Sequence, residues 1–213
     1  MTAADYRLYL ITDRRQTGGR SLTEVVRPAL EGGVRLVQLR EKDLTSAELY
    51  RLALELRGIT SNFGSRLIIN DRLDIALATG ADGVQVGVNS MPVTEVRRLL
   101  GPHMLIGYSA HEIGEARRAQ GDGADFVTFG PVYFTPSKSA CGQPCGVCKV
   151  AEVSSDLDIP VFALGGINPE NVLELLDAGV RGIALISSII AASDPLTATA
   201  SLLQKIEEHV RYS

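Results

Sequence analysis

One unit recurs along this chain: a short apolar run, often entered through glycine, that stops abruptly at small or polar residues and leads into helical spacing. The runs are Leu8 to Thr12, Val34 to Leu39, Leu67 to Ile69, Val84 to Val86, Leu105 to Ile106, Phe126 to Phe129, Val161 to Ile167 and Gly182 to Ser188. Two entries even share wording, GADGVQVG at 80–87 and GADFVTFG at 123–130. Intervals of roughly 20 to 30 residues leave room for one helix per strand. Continuously apolar strands that alternate with helices call for a parallel sheet covered on both faces. The expectation is a single-domain (β/α)8 TIM barrel over residues 1–213, with a doubly wound open sheet as the alternative, because counting strands does not prove closure.

The helices announce themselves by their starts. Ser21 to Glu24 and Thr45 to Glu48 are capping boxes, in which a hydroxyl and a carboxylate satisfy otherwise orphaned amides. Val25, Val26, Ala29 and Leu30 follow the first box with helical spacing; Leu49, Leu52, Ala53 and Leu56 follow the second.

Composition narrows the function. A chain of 213 residues with 45% hydrophobic content supports one sizeable core. The absence of a long apolar run and of a basic-then-apolar leader predicts a cytoplasmic protein without a membrane partner. A net charge of -4 and an aromatic content of 5% without tryptophan argue against nucleic acid, which needs a basic face and stacking rings. Cys141, Cys145 and Cys148 form C-x3-C-x2-C, a spacing that iron–sulfur or zinc sites use. The motif falls after the sixth strand, in a loop rich in glycine and proline, and the reading is of incidental reduced thiols with no cluster.

In a (β/α)8 barrel the residues at the C-terminal ends of the strands form the active site. Here those positions are polar. Arg40 and Lys42 suit oxyanions; Asn70 offers an amide and Asp71 a hard oxygen for magnesium. Thr135, Ser137 and Lys138 lie on the loop after the sixth strand. Gly165-Gly166 and Ser187-Ser188 end the last two strands, where loop amides and a helix start commonly bind phosphate. Each has a structural alternative: a solvated Arg40-Glu41-Lys42 run, an Asp71–Arg72 pair, a helix cap at Ser109 or His111, a tight turn at Gly165-Gly166. Their joint placement on one rim favours a site for more than one phosphate.

QLREK at 38–42, NDR at 70–72, GYSAH at 107–111, GPVYFTPSK at 130–138, GGI at 165–167 and IS at 186–187, in this order, resemble the thiamine phosphate synthase family over nearly the whole chain. The resemblance implies that hydroxymethylpyrimidine diphosphate is coupled to thiazole phosphate with loss of diphosphate, through a pyrimidine-methyl cation. It implies Mg2+ at Asp71, with Arg40, Lys42 and Lys138 stabilising the departing diphosphate. Gln38, Asn70 and Ser109 would bind and orient the pyrimidine and leaving group. Thr135, Ser137, Gly166, Ile186 and Ser187 would hold the thiazole phosphate. A homodimer is compatible with the resemblance.

Two positions depart from it. Ser90 stands where the family usually has a second magnesium-binding aspartate, and Gln85 stands where it usually has histidine. Both lean toward the sister family of thiazole tautomerases, in which His111 would be the acid/base group. A non-catalytic sensor of phosphorylated ligands is the reading from a different class.

Overall fold

The computed structural model describes residues 3–135 and 143–212. Its eight strands are β1 (Leu8–Ile11), β2 (Leu36–Leu39), β3 (Arg66–Asn70), β4 (Gly83–Gly87), β5 (Leu105–Ala110), β6 (Phe126–Phe129), β7 (Val161–Leu164) and β8 (Gly182–Leu185). They pair in sequence order, all parallel, and β8 pairs back onto β1. The sheet is therefore a closed barrel, and the open-sheet alternative is excluded.

The outer helices are α1 (Leu22–Glu31), α2 (Ser46–Asn62), α3 (Leu73–Thr79), α4 (Val93–Leu100), α5 (Ile113–Gly121), α6 (Gly146–Asp156) and α7 (Val172–Asp177), followed by α8 (Ser187–Ile190) and α9 (Pro195–Tyr212). Both expected capping boxes form, at Ser21/Glu24 and at Thr45/Glu48. The run Gly182 to Ser188 divides: the strand stops at Leu185, and Ser187 opens α8, a single turn that precedes the long closing helix. Val161 to Ile167 divides in the same way, with the strand ending at Leu164 before two glycines of positive φ.

Two apolar clusters follow from strand alternation. The larger lies between barrel and helices and includes Val37, Ile69, Val84 and Ile183 with Val25, Leu56 and Ile206. The smaller fills the barrel interior with Tyr9, Leu36, Ile68, Phe126, Phe162 and Ala184. Tyr9, Phe126 and Phe162 meet edge to face, with centroids 5.6 to 5.9 Å apart, and plug the interior. Gly107 makes room for this plug: a Cβ there would lie 2.4 Å from the Phe126 ring and 2.2 Å from Gln85 Oε1.

The shared GAD wording has a structural meaning at the strand entries. Asp82 accepts from the Leu67 amide at 2.8 Å and from Arg57 and Arg66 at 2.8 and 2.6 Å. Asp125 accepts from the Ile106 amide at 2.7 Å and from Arg97 at 2.6 Å. Each aspartate thus ties its own strand entry to the preceding strand and to an arginine. The repeat is a fastening of the N-terminal rim.

Candidate functional site at the C-terminal mouth

Alternation carries Gln38, Asn70, Gln85, Ser109 and Thr128 onto the inward side of the strands above the aromatic plug, because each lies two residues past an inward-facing plug or spacer position. Gln38, Gln85 and Thr128 are each 2% exposed. Buried amides and hydroxyls require partners, and these find one another. Gln38 Nε2 donates to the Tyr9 hydroxyl at 2.8 Å, and that hydroxyl donates to Gln85 Oε1 at 3.1 Å. Gln85 Nε2 donates to Ser109 Oγ at 3.0 Å and to Thr128 Oγ1 at 3.2 Å.

One side of the mouth is cationic. Thr12 Oγ1 accepts the Arg40 amide at 2.9 Å and donates to Glu41 Oε1 at 2.7 Å, which clamps the end of β2 to the end of β1. Glu41 is 6% exposed and also accepts from the Arg14 amide at 3.1 Å, so Arg40-Glu41-Lys42 is not a solvated charge run. Arg14 and Arg15 are taken up by Asp43, and Arg72 pairs with Asp74 rather than with Asp71. The Asp43 carboxyl is held well below the usual range by Arg14 and then Arg15. By contrast, the Arg40 guanidinium and Lys42 ammonium have no hydrogen-bond or ion-pair partner among the described residues. A cavity of about 250 Å³ opens beside Lys42, lined also by Glu41, Asn70 and Asp71.

Asp71 has φ +62°, a left-handed conformation that a non-glycine residue adopts at a cost and that aspartate tolerates better than most. Its amide donates to the Gln85 carbonyl at 2.9 Å, and its Oδ2 accepts from Asn70 Nδ2 at 3.3 Å. Ser90 Oγ donates a short hydrogen bond to Asp71 Oδ1 and accepts from the Gly87 amide at 2.7 Å. Ser90 is therefore brought against Asp71, and it does not cap α4, whose N-cap is Pro92. Asp71, Ser90 and Asn70 are hard oxygen donors that fit Mg2+ completed by water and diphosphate oxygens. No group of three or more His, Cys, Asp or Glu side chains suited to a metal occurs among the described residues.

The other side of the mouth presents backbone. Gly165, Gly166, Ile186, Ser187 and Thr135 line a small cleft between the ends of β7 and β8. The amides of Gly166, Ile167, Ser187 and Ser188 have no acceptor among the described residues. The turn is fixed from behind: Asn171 Nδ2 donates to the Gly166 carbonyl at 3.0 Å, and Ser188 Oγ to the Ile167 carbonyl at 2.8 Å. Gly166 has a second reason to be glycine. With φ +67°, a Cβ there would lie 2.7 Å from the Phe134 carbonyl oxygen and from Tyr133 Cβ, so the loop after β6 already crowds it without any ligand.

His111 neither caps α5, where Glu112 and Glu115 form the capping box, nor stands alone. Its Nδ1 lies 2.5 Å from the Gly130 carbonyl, which makes Nδ1 the protonated nitrogen. Ser109 likewise belongs to the interior network and not to a helix cap. Ser137, Lys138 and Cys141 lie outside the described residues. Cys145 is half-buried and Cys148 exposed at the start of α6. The sequence reading gave no role to Glu41, although it lies within QLREK, nor to Thr12 and Tyr9, since the importance of all three comes from what lies across the barrel. A larger recess of about 420 Å³ sits at the opposite rim, between Arg7, Gly33 and Leu203, and touches none of these groups.

Fold and geometry define a (β/α)8 barrel enzyme whose C-terminal mouth sets cations against backbone amides, both without partners among the described residues. The chain belongs to the thiamine monophosphate synthase family, whose model matches residues 8–189, and is thereby a transferase of thiamine biosynthesis. A thiamine-phosphate synthase of Clostridium novyi is 43% identical over 198 residues, covering 93% of this chain and 97% of that one. A Geobacter sulfurreducens protein provisionally named as such a synthase is 54% identical over 211 residues, 99% of each chain. The solved thiamine phosphate pyrophosphorylase of Pyrococcus furiosus superposes with a TM-score of 0.88 at 37% identity, covering 96% of both chains.

Proposed function

We propose that the protein couples hydroxymethylpyrimidine diphosphate to thiazole phosphate, giving thiamine phosphate and diphosphate. The observation that carries this is the two-sided mouth: one anion site built from side-chain cations and a second from backbone amides, facing a common interior. Two phosphorylated substrates need two such sites. A tautomerase, acting on one phosphorylated thiazole, has no use for Arg40 and Lys42 left without partners.

In the reaction the C–O bond to diphosphate breaks, the pyrimidine-methyl carbon becomes cationic, and the thiazole nitrogen forms the new C–N bond. Negative charge grows on the leaving diphosphate, so groups fixed beside it stabilise the transition state more than the ground state. Arg40 and Lys42 supply that stabilisation from the β2 loop, and Lys138 supplies it from the loop after β6. Gln38, Asn70 and Ser109 orient the pyrimidine and leaving group. Thr135, Ser137 and the amides at Gly166, Ile186 and Ser187 hold the thiazole phosphate. Asp71, with Ser90 and Asn70, would hold Mg2+, which neutralises diphosphate charge when bound. Capture of a cation by a nitrogen lone pair needs no general base, so His111 is left to fix the Gly130 carbonyl.

The test is mass spectrometry of thiamine phosphate after incubation with both substrates and magnesium, beside an assay of thiazole isomer exchange. Coupling without exchange is expected; exchange without coupling would overturn the reading. A magnesium titration adds the metal. Ser90→Asp places a second carboxylate against Asp71, so the half-maximal magnesium concentration should fall by about tenfold, as ligand charge sets such affinities. An unchanged midpoint would remove Ser90 from the metal.

A further inference from the structure

We infer that Gln85 is a positioning residue that fixes the polarity of the Ser109 hydroxyl, so that Ser109 meets the leaving diphosphate as a hydrogen-bond donor. The inference rests on the proposed reading that Ser109 faces the diphosphate.

Direction can be followed through the buried network. Tyr9 is fully buried, and burial pushes its phenol far above the ordinary tyrosine value, with the Gln38 hydrogen bond opposing. It therefore keeps its one proton. Because Gln38 Nε2 donates to that oxygen, the proton goes to Gln85 Oε1. The Gln85 carbonyl is thereby occupied, and both amide protons point the other way, to Ser109 and Thr128. Thr128 Oγ1 adds a donation to Ser109 Oγ at 3.3 Å. Ser109 Oγ thus receives two hydrogen bonds, and its own proton has no acceptor among the described residues. Half-buried at the top of β5, it turns that proton to the mouth. Reversed polarity would have Ser109 donating to Gln85 and showing lone pairs to an anion. Glutamine suits this task because its two ends are chemically distinct and neither titrates. Gly107 leaves the space that Gln85 Oε1 occupies.

The test is Gln85→Glu, read beside wild type and Ser109→Ala. A carboxylate only accepts, so Tyr9 and Ser109 must both donate to it, and Ser109 loses its donor role. At neutral pH kcat should fall by about 10- to 100-fold, the scale of a lost transition-state donor, with KM for thiazole phosphate within about twofold. The double variant of Gln85→Glu with Ser109→Ala should lose no more than Ser109→Ala alone, a coupling that simple loss of packing does not produce. Should Gln85→Glu fail to fold, Gln85→Met replaces it, and the double variant with Ser109→Ala should lose no more than Ser109→Ala alone. If wild type does not couple the substrates, the proposed function falls. If wild type couples and Ser109→Ala matches it, the Ser109 contact falls. If Ser109→Ala is impaired while Gln85→Glu matches wild type, or if the Gln85 and Ser109 substitutions add in full, the positioning role falls.

Discussion

The two ends of the barrel use charge in opposite ways. At the N-terminal rim, Asp82 and Asp125 are each met by a backbone amide and by arginine, so charge there is spent on internal fastening. At the C-terminal mouth, the backbone that carries Arg40 and Lys42 is held through Thr12 and Glu41, and among the described residues neither cation has a counter-ion. Like charges placed close together without counter-ions cost stability, and proteins break such local rules chiefly at functional sites. The lower rim should therefore answer to measurements of stability and the mouth to measurements of rate.

The sharpest break of that comparison is Asp71→Asn. Asparagine also tolerates the left-handed backbone, so shape is kept while charge is lost. The coupling rate should fall by about 100- to 1,000-fold, as for other electrostatic groups at a reacting centre, with an unchanged thermal midpoint. Near-normal magnesium-dependent turnover would displace Asp71 from the site.

Asp82→Ala is the counterpart at the lower rim. It strands the Leu67 amide and two arginines, which should cost about 2 kcal/mol, the range for hydrogen bonds to a charged group. Urea denaturation reads that loss, and kcat should stay at the wild-type value. A matching loss of kcat would mean that the two ends are coupled.

Lys42→Gln should raise KM for the diphosphate substrate by about tenfold, one charge-assisted contact, without lowering the urea midpoint. Destabilisation instead would show that Lys42 has a structural partner. The smallest effect concerns Asp43, exposed at the edge of the mouth. Its pKa in the folded protein is depressed by Arg14 and Arg15, so its contribution is complete above the unfolded carboxylate value near 4 and vanishes as pH falls through the lower folded value. Asp43→Asn should lower the thermal midpoint slightly at neutral pH, with the difference from wild type shrinking as pH falls through that acid window, and a difference that grew toward acid pH would contradict the assignment.

Much of this was legible in the sequence because the unit repeats. Strand positions followed from apolar runs, and both hydroxyl–glutamate boxes formed where their spacing placed them. The GAD repeat was visible as well, although its meaning, a bond from each aspartate back to the preceding strand, needs three-dimensional register. Polar residues at strand ends pointed to the mouth because the barrel puts every strand end there. What could not be read were pairings across the barrel. Arg40 and Arg14 look alike in sequence, yet among the described residues one has no partner and the other is bound to Asp43. Gly166 looked like a site for close ligand approach, and the loop after β6 proves sufficient reason for it. Tyr9 reads as one apolar residue in LYLI, although its hydroxyl orders two amides from other strands.

The aromatic plug of Tyr9, Phe126 and Phe162 has a consequence for traffic. With the interior filled from below, the mouth is the doorway that the described residues leave for two substrates and two products. Diphosphate and thiamine phosphate must leave by the route through which the next pair arrives. The order of departure then becomes a property of the architecture: whichever product sits nearer the plug waits for the other, and surplus of the outer one in solution holds the inner one in place.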